Sequence, residues 1–207
     1  MRFRSRTLGG IALLGLVLAA ALAPPPRAHA QEGLHSYLLV ARPYMPDPNF
    51  RQTVLLVSHL EGRHTLGVIL NRPTDESLSS LLPGDRFRGF RDPVHLGGPV
   101  ARNSLVALFH AEKAPGEAFA ILPELFLSVH PGTLDELLAR PPPALRLFVG
   151  YAGWAPGQLA AEIARGDWLV LKPDAGIAMR RDTRNLWQEL IDRARATRAS
   201  AAEPGKG

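Results

Sequence analysis

Three glycines, a proline, a tyrosine, a tryptophan and a glutamine stand within ten residues, Gly150 to Leu159, and Glu162 follows close behind. These types at this spacing can hold a ligand. Backbone N–H groups at the start of a helix opening near Gln158 can bind an anion, with help from the helix dipole. Gln158 and Glu162 are four apart and share a helix face. Tyr151 and Trp154 can stack on a ligand. The same residues also make a tight corner, with the glycines permitting close packing and Trp154 filling core. That structural use is the preferred reading, because the spacing is not that of a phosphate loop.

Two other clusters carry similar chemistry. Gly97-Gly98-Pro99 can form a backbone anion nest, though such runs more often make a sheet corner or bulge. Asn71-Arg72-Pro73 puts a guanidinium at a strand end, where it can grip a carboxylate or phosphate; solvation at the surface is the commoner use of arginine. The candidate binding residues are therefore Asn71, Arg72, Gly97, Gly98, Tyr151, Trp154, Gln158 and Glu162.

Reactive constellations are missing from the pattern. His59, His64, His95 and His110 form no His-x-x-x-His or His-Glu-x-x-His pair, so no metal site is expected. Ser36, Ser58, Ser104 and Ser128 lack a Gly-x-Ser-x-Gly elbow. Asp47 and Glu162 are carboxylates that nothing in the sequence brings together. No catalytic residue and no cofactor is assigned, and the domain is read as non-enzymatic. An enzyme using Glu162 or a histidine is the weaker alternative.

The elements that must position these residues follow from apolar runs and breakers. Ser36–Arg42 reads as a buried strand, stopped by Pro43, Pro46 and Pro48. Asp47 and Asn49 can cap a short turn, with Phe50 as an apolar plug. Thr53–Leu60 and His64–Leu70 form a hairpin about Glu61-Gly62-Arg63. A short helix is predicted over Glu76–Leu82, with Leu78, Leu81 and Leu82 on one face. Asp85–Asp92 reads as a charged loop. Brief strands are predicted at 94–96, 105–110, 118–121 and 125–129. Thr133 with Glu136 three residues on looks like a capping box opening a helix to Ala139. The strand Leu145–Val149 leads into the glycine turn, and a helix Gln158–Arg165 leads out. Trp168–Leu171 is a strand, and Ile177–Met179 a further brief strand pairing. The last helix, Thr183–Thr197, has Leu186, Trp187, Leu190 and Ile191 on one face. Strands dominate the first half and helices intersperse irregularly, which favours a mixed α+β sheet over alternating βαβ units.

The chain has 207 residues, enough for one domain and a tail. It has no cysteine, which removes disulfides, thiol catalysis and cysteine-ligated zinc together. A net charge of +5 suggests nucleic acid, but Arg2, Arg4, Arg6 and Arg27 sit in an acid-free leader. Setting these four aside leaves 20 basic residues against 19 acidic ones, about +1. The arginines of the last helical region are interleaved with Asp182, Glu189 and Asp192, no helix-turn-helix pattern is visible, and direct DNA binding is not expected. Residues 1–30 follow the plan of a secretory signal peptide: three arginines, the apolar run Ile11–Ala23, and an Ala28-His29-Ala30 cleavage site. The apolar run is shorter than the ~20 residues a spanning helix needs. The expected organisation is a cleavable leader at 1–30, a single domain at 31–197 and a disordered tail at 198–207. No transmembrane helix is expected in the mature chain, which is read as periplasmic or secreted, with a cytoplasmic protein as the alternative.

Motifs in order match a known family. They include Tyr37 to Pro43, Asp47-Pro48-Asn49-Phe50, Gly67 to Pro73, Gly97-Gly98-Pro99-Val100, Leu108-Phe109-His110, Gly150 to Leu159, Asp167-Trp168-Leu169 and Leu186-Trp187. Across residues 36 to about 192 the chain resembles the YqgE/AlgH family of bacterial proteins, some described as transcriptional regulators. The resemblance implies an α+β fold with a strongly curved, barrel-like sheet flanked by short helices and a C-terminal helix. It implies no reaction and carries over no catalytic residue. Members often have an acid directly after Gly-Gln-Leu, where this chain has Ala160-Ala161 and only then Glu162. The combined reading is an exported domain that binds a protein or a small ligand near the Gly150–Glu162 segment; the alternative is a cytoplasmic regulator of transcription.

Overall fold

The computed structural model describes residues 36–59, 65–81, 84 and 87–202. Its frame is a curled, largely antiparallel sheet in the order β10-β1-β2-β3-β9-β6-β8-β7, with β4 and β5 attached at its middle. The path runs through β1 (Ser36–Ala41), β2 (Val54–His59), β3 (Thr65–Ile69), β4 (Pro73–Ser77), β5 (Pro93–Leu96) and β6 (Val100–His110). It continues through β7 (Phe119–Leu122), β8 (Leu125–Ser128), β9 (Leu145–Trp154) and β10 (Trp168–Leu171). The helices are α1 (Leu78–Leu81), α2 (Pro131–Ala139), α3 (Gln158–Arg165), α4 (Ala175–Ala178) and α5 (Leu186–Ala202). This is the α+β, half-barrel architecture that the family resemblance implied. One pair, β5 with β9, is parallel, so the sheet is mixed.

Strand alternation divides the core. Leu38, Val40, Leu56 and Val68 point to one side, where Leu186, Leu190 and Ile191 of α5 cover them. Leu39, Ala41, Leu55 and Val57 point to the other, where Leu159 of α3, Trp154 and Trp168 cover them. Because both faces are covered, these strands read as continuous apolar runs rather than alternating ones. A third cluster seats Leu134, Leu137 and Leu138 of α2 on Ala107, Phe109 and Leu147. The indole of Trp187 locks α5 to the sheet by donating to the Ala41 carbonyl at 2.6 Å.

β9 is the strand about which everything else is arranged. Its first half pairs with β6 on one side and β5 on the other, and its last residues pair with β3. It is also where the sequence reading needs correction. Gly150 to Trp154 is strand, not turn; the turn is confined to Ala155–Gly157. Gly150 bends the strand at φ 69°, and a side chain there would strike the Gly98 and Val100 carbonyls.

Several other departures from expectation each have a specific hydrogen-bonding cause. Residues 73–77 pair with β5 instead of coiling, and the Thr74 hydroxyl donates to the Val94 carbonyl at 2.7 Å. Only 78–81 is helical; Leu78 is buried but Leu81 is 44% exposed, and Leu82 lies outside the described residues. The capping box at Thr133 does not form. α2 opens earlier, with His130 as N-cap and no side-chain cap, while Thr133 Oγ1 bridges the Glu117 backbone, accepting from its N–H and donating to its carbonyl. Residues 175–178 are a helical turn rather than a strand, because Asp174 caps it by accepting the Ile177 N–H at 2.8 Å. The last helix begins at Leu186 and continues to Ala202. The leader at 1–30, the hairpin turn at 61–63, His64 and residues 203–207 lie outside the described residues.

Candidate functional site

The polar groups of the Gly150–Glu162 segment are spent on one another. Gln158 Oε1 accepts the Ala155 N–H at 3.1 Å, and Gln158 Nε2 donates to Glu162 Oε1 at 2.9 Å. Glu162 Oε2 accepts two indole N–H groups, from Trp154 at 3.0 Å and from Trp168 at 2.9 Å. Between the two indoles sits Phe50, stacked on Trp154 at 6.0 Å and edge-on to Trp168 at 5.6 Å. Trp154 is buried, so its ring face is core and not a stacking platform. The segment is a joint that fastens α3 to β9 and β10. Beside it lies only a small groove of about 270 Å³, which Tyr37, His59 and Ala160 help to line.

Asn71 and Arg72 serve the same joint from the far side. Asn71 accepts the Val54 N–H at 2.8 Å and donates to the Gln52 carbonyl at 2.9 Å. Arg72 donates to the Asn49 and Arg51 carbonyls, at 2.6 and 3.2 Å. These two carbonyls flank Phe50, so the guanidinium holds the plug in place. Burial lowers the Arg72 pKa, and Asp47 acts against that shift.

Gly97 and Gly98 press against β9. A Cβ at Gly97 would meet the Gly150 carbonyl, and one at Gly98 the Tyr151 carbonyl group. The Gly97 N–H is already donated to the Val149 carbonyl at 2.8 Å. Here the glycines allow two backbones to touch. The structure thus brings Trp154, Gln158 and Glu162 together, places Tyr151 against Gly98, and sets Asn71 and Arg72 behind Phe50.

A larger cleft lies elsewhere. It measures about 600 Å³ and lies at the start of β9, between α2, β5 and the Met179–Arg181 segment after α4. Pro141, Pro142, Leu138 and Phe90 give it apolar walls. Arg146 and His95 line it as well, although they are only 6% and 4% exposed. Arg146 donates to the Ala178 carbonyl at 2.6 Å and to the Leu70 carbonyl at 2.7 Å, while its Nε has no partner. Neither ring nitrogen of His95 has a hydrogen bond of good geometry; the nearby Pro93 carbonyl favours its proton, more weakly than burial and Arg146 oppose it. The Phe148 ring touches both, 5.2 Å from the guanidinium carbon and 5.5 Å from the imidazole centroid.

The electrostatics of this pair are unusual. Burial pushes the Arg146 pKa down to about 10, still high enough to keep it charged at neutral pH, and no carboxylate offsets the burial. Burial, then the Arg146 charge, hold His95 down to about 4, so its ring is neutral. An unpaired buried cation costs several kcal/mol, and a buried polar group without a partner calls for an explanation such as a ligand or ion.

In the sequence His95 stands out only as one of four histidines that form no metal-binding pair, and Arg146 carries no assigned role. One signal for Arg146 was present: a lone arginine inside the apolar run Leu145–Val149 must either reach an edge or be buried with partners. No comparable signal marks His95, because its environment comes from β9, fifty residues away in sequence.

The model of the AlgH-like family matches residues 38–198. A UPF0301 protein of Myxococcus xanthus is 39% identical over 159 residues, covering 74% of this chain and 87% of the relative. One from Streptomyces avermitilis is 38% identical over 173 residues, covering 80% and 89%. Among solved structures, the AlgH protein of Pseudomonas aeruginosa superposes with a TM-score of 0.64 at 28% identity, over 86% of this chain and 98% of that one. The protein DIP2367 of Corynebacterium diphtheriae shares the fold, with a TM-score of 0.61 at 24% identity over 78% and 87%.

Proposed function

We propose, from the premise that this chain belongs to the AlgH-like family, that it is a non-enzymatic binding domain whose ligand site is the cleft lined by His95 and Arg146. The observation that carries the reading is the pairing of a ligand-sized cavity with two buried, incompletely bonded polar side chains in its lining. Several groups that could do acid–base or nucleophilic work are engaged in structure instead. Glu162 holds two indoles, His59 Nδ1 bonds the Thr65 hydroxyl at 2.7 Å, and Ser36 donates to Ser58 at 3.1 Å. Among the described residues no three histidines, aspartates or glutamates converge as metal ligands.

The test is a thermal-shift screen of a chemically broad library, because a ligand that binds only the native state raises its stability. Hits are expected to raise the melting temperature and to be recovered chemically unchanged by mass spectrometry. Conversion of a hit to a product overturns the non-enzymatic reading. Hits that bind undiminished when the cleft is blocked overturn the location.

Export is part of the same proposal. The leader pattern of residues 1–30 supports it, and among the described residues no helix is long and apolar enough to cross a membrane. N-terminal sequencing of protein from fractionated cells is expected to begin at Gln31. An intact Met1 in a cytosolic pool rules export out and favours the cytoplasmic regulator.

A further inference from the structure

The ligand's chemistry can be read from what the cleft lacks. Among the described residues three arginines, 91, 146 and 181, line it against one carboxylate, Asp92, an excess of two positive charges. Asp92 already lies 3.4 Å from Arg181 at the rim. Among the described residues nothing acidic reaches Arg146. Its two terminal nitrogens are pinned by the Ala178 and Leu70 carbonyls, which fixes the plane of the guanidinium. Nε–H and the remaining terminal hydrogens are then a preset fork of the geometry that suits carboxylate and phosphate oxygens. His95 stands beside it on the same Phe148 ring with neither nitrogen in a hydrogen bond of good geometry. The cleft is also far larger than a bare inorganic ion needs, and its walls are proline, leucine and phenylalanine.

We infer that the cleft takes an amphipathic organic anion: a carboxylate or phosphate-ester head bound by Arg146 and His95, with an apolar body along the Phe90–Pro141–Leu138 wall. This inference rests on the reading of the cleft as a ligand site and adds the class of ligand. The incoming oxyanion supplies the counter-charge that the fold withholds from Arg146. The Arg91 and Arg181 side chains at the cleft draw the anion in, an effect that weakens as salt rises.

The test uses the full chain and reads thermal shift, calorimetric affinity and the His95 ring signals by NMR. The probes are benzoate, octanoate and phenyl phosphate, with benzamide, benzylamine and inorganic phosphate as controls. Three variants accompany them. Ala139→Trp blocks the cleft from an exposed position at the end of α2. Arg181→Glu reverses a rim charge on an exposed side chain. Arg146→Lys keeps the charge but loses the fork. The organic anions are expected to stabilise the protein and move the His95 signals, while benzamide and benzylamine do neither. Ala139→Trp abolishes the effect, Arg181→Glu weakens it several-fold, and Arg146→Lys weakens it about tenfold. The better of benzoate and phenyl phosphate identifies the head group.

Benzamide binding as tightly as benzoate overturns the anion class, and inorganic phosphate binding as tightly as phenyl phosphate overturns the apolar body. Anions that bind Ala139→Trp as well as the parent overturn the site, even if Arg146→Lys fails to fold. Silence from every anion, while neutral or cationic compounds of the broad screen bind in a manner that Ala139→Trp abolishes, overturns the class and leaves the binding reading standing. Silence from every compound in both experiments overturns the binding reading itself.

Discussion

Trp168 and Glu162 are joined by an indole N–H that reaches the carboxylate at 2.9 Å, and the same oxygen receives the indole of Trp154 at 3.0 Å. One carboxylate therefore satisfies two tryptophans from different strands, β9 and β10, while riding on the helix between them. It decides what the Gly150–Glu162 segment is for. The side chains that looked able to hold a ligand hold each other.

Glu162→Ala is expected to lower stability by about 2–3 kcal/mol, since it strands two indole N–H groups at a largely buried site. Glu162→Gln is milder, about 1–2 kcal/mol, because one oxygen can still accept while the new amide faces the Gln158 amide donor. Urea unfolding followed by tryptophan fluorescence measures both. A Glu162→Ala loss under about 0.5 kcal/mol, the range of ordinary surface changes, removes the joint as an explanation.

Phe50 tests the same joint from its apolar side. Phe50→Ala removes the ring wedged between Trp154 and Trp168, at an expected cost of about 3–4 kcal/mol. Arg72→Ala, which frees the backbone on either side of that ring, should lose part of the same energy. A double-mutant cycle therefore gives a combined loss smaller than the sum. Strict additivity means that Arg72 does not act through Phe50.

Two glycine substitutions separate packing from backbone conformation. Gly98→Ala drives a methyl group into the Tyr151 backbone at the centre of the sheet, where neither side can yield cheaply, and the expected result is little or no soluble folded protein. Gly157 has φ 78° but open space around its Cβ position. Gly157→Ala is expected to fold, with a melting temperature lowered by the equivalent of about 1–2 kcal/mol. Comparable behaviour of the two variants contradicts the close-contact account of Gly97 and Gly98.

His95 gives the fold a pH dependence of defined sign. In the unfolded chain the ring takes a proton near pH 6.5, whereas in the folded chain burial and Arg146 delay this to about 4. Between those values the unfolded state binds more protons, so the contribution to stability is complete above 6.5, is lost as pH falls through the window and levels off below about 4. The loss amounts to about 3 kcal/mol at most, less where solvent screens the ring. Denaturant midpoints from pH 7 to pH 4 should fall more steeply for the parent than for His95→Asn. Parallel curves mean the ring is solvated and not buried against Phe148 near Arg146.

Much of the fold was legible because its signals are local. The runs Leu145–Val149 and Trp168–Leu171 are strands, Gln158–Arg165 is a helix with those bounds, and Leu186, Trp187, Leu190 and Ile191 do face the sheet. The errors occurred where a distant partner outbid a local preference. Thr133 has the spacing of a capping residue, but the Glu117 backbone claims its hydroxyl. Glu76 and Ser77 have the pattern of a helix start, but β5 offers the 73–77 segment a ladder.

What the sequence determined by itself was the set of elements, the family, and the apolar character of both sheet faces, since each depends on spacing along the chain. Only the tertiary structure decided which polar residues are idle. Glu162 and Gln158 look available in sequence and are engaged with each other and with two indoles in space; Arg146, marked in sequence only as a lone charge in an apolar run, and His95, unmarked there, share a cleft, incompletely bonded. Hydrogen-bond satisfaction depends on neighbours from other strands and helices, here β10 for Glu162 and the Leu70 and Ala178 backbones for Arg146. No spacing rule within one segment records those neighbours.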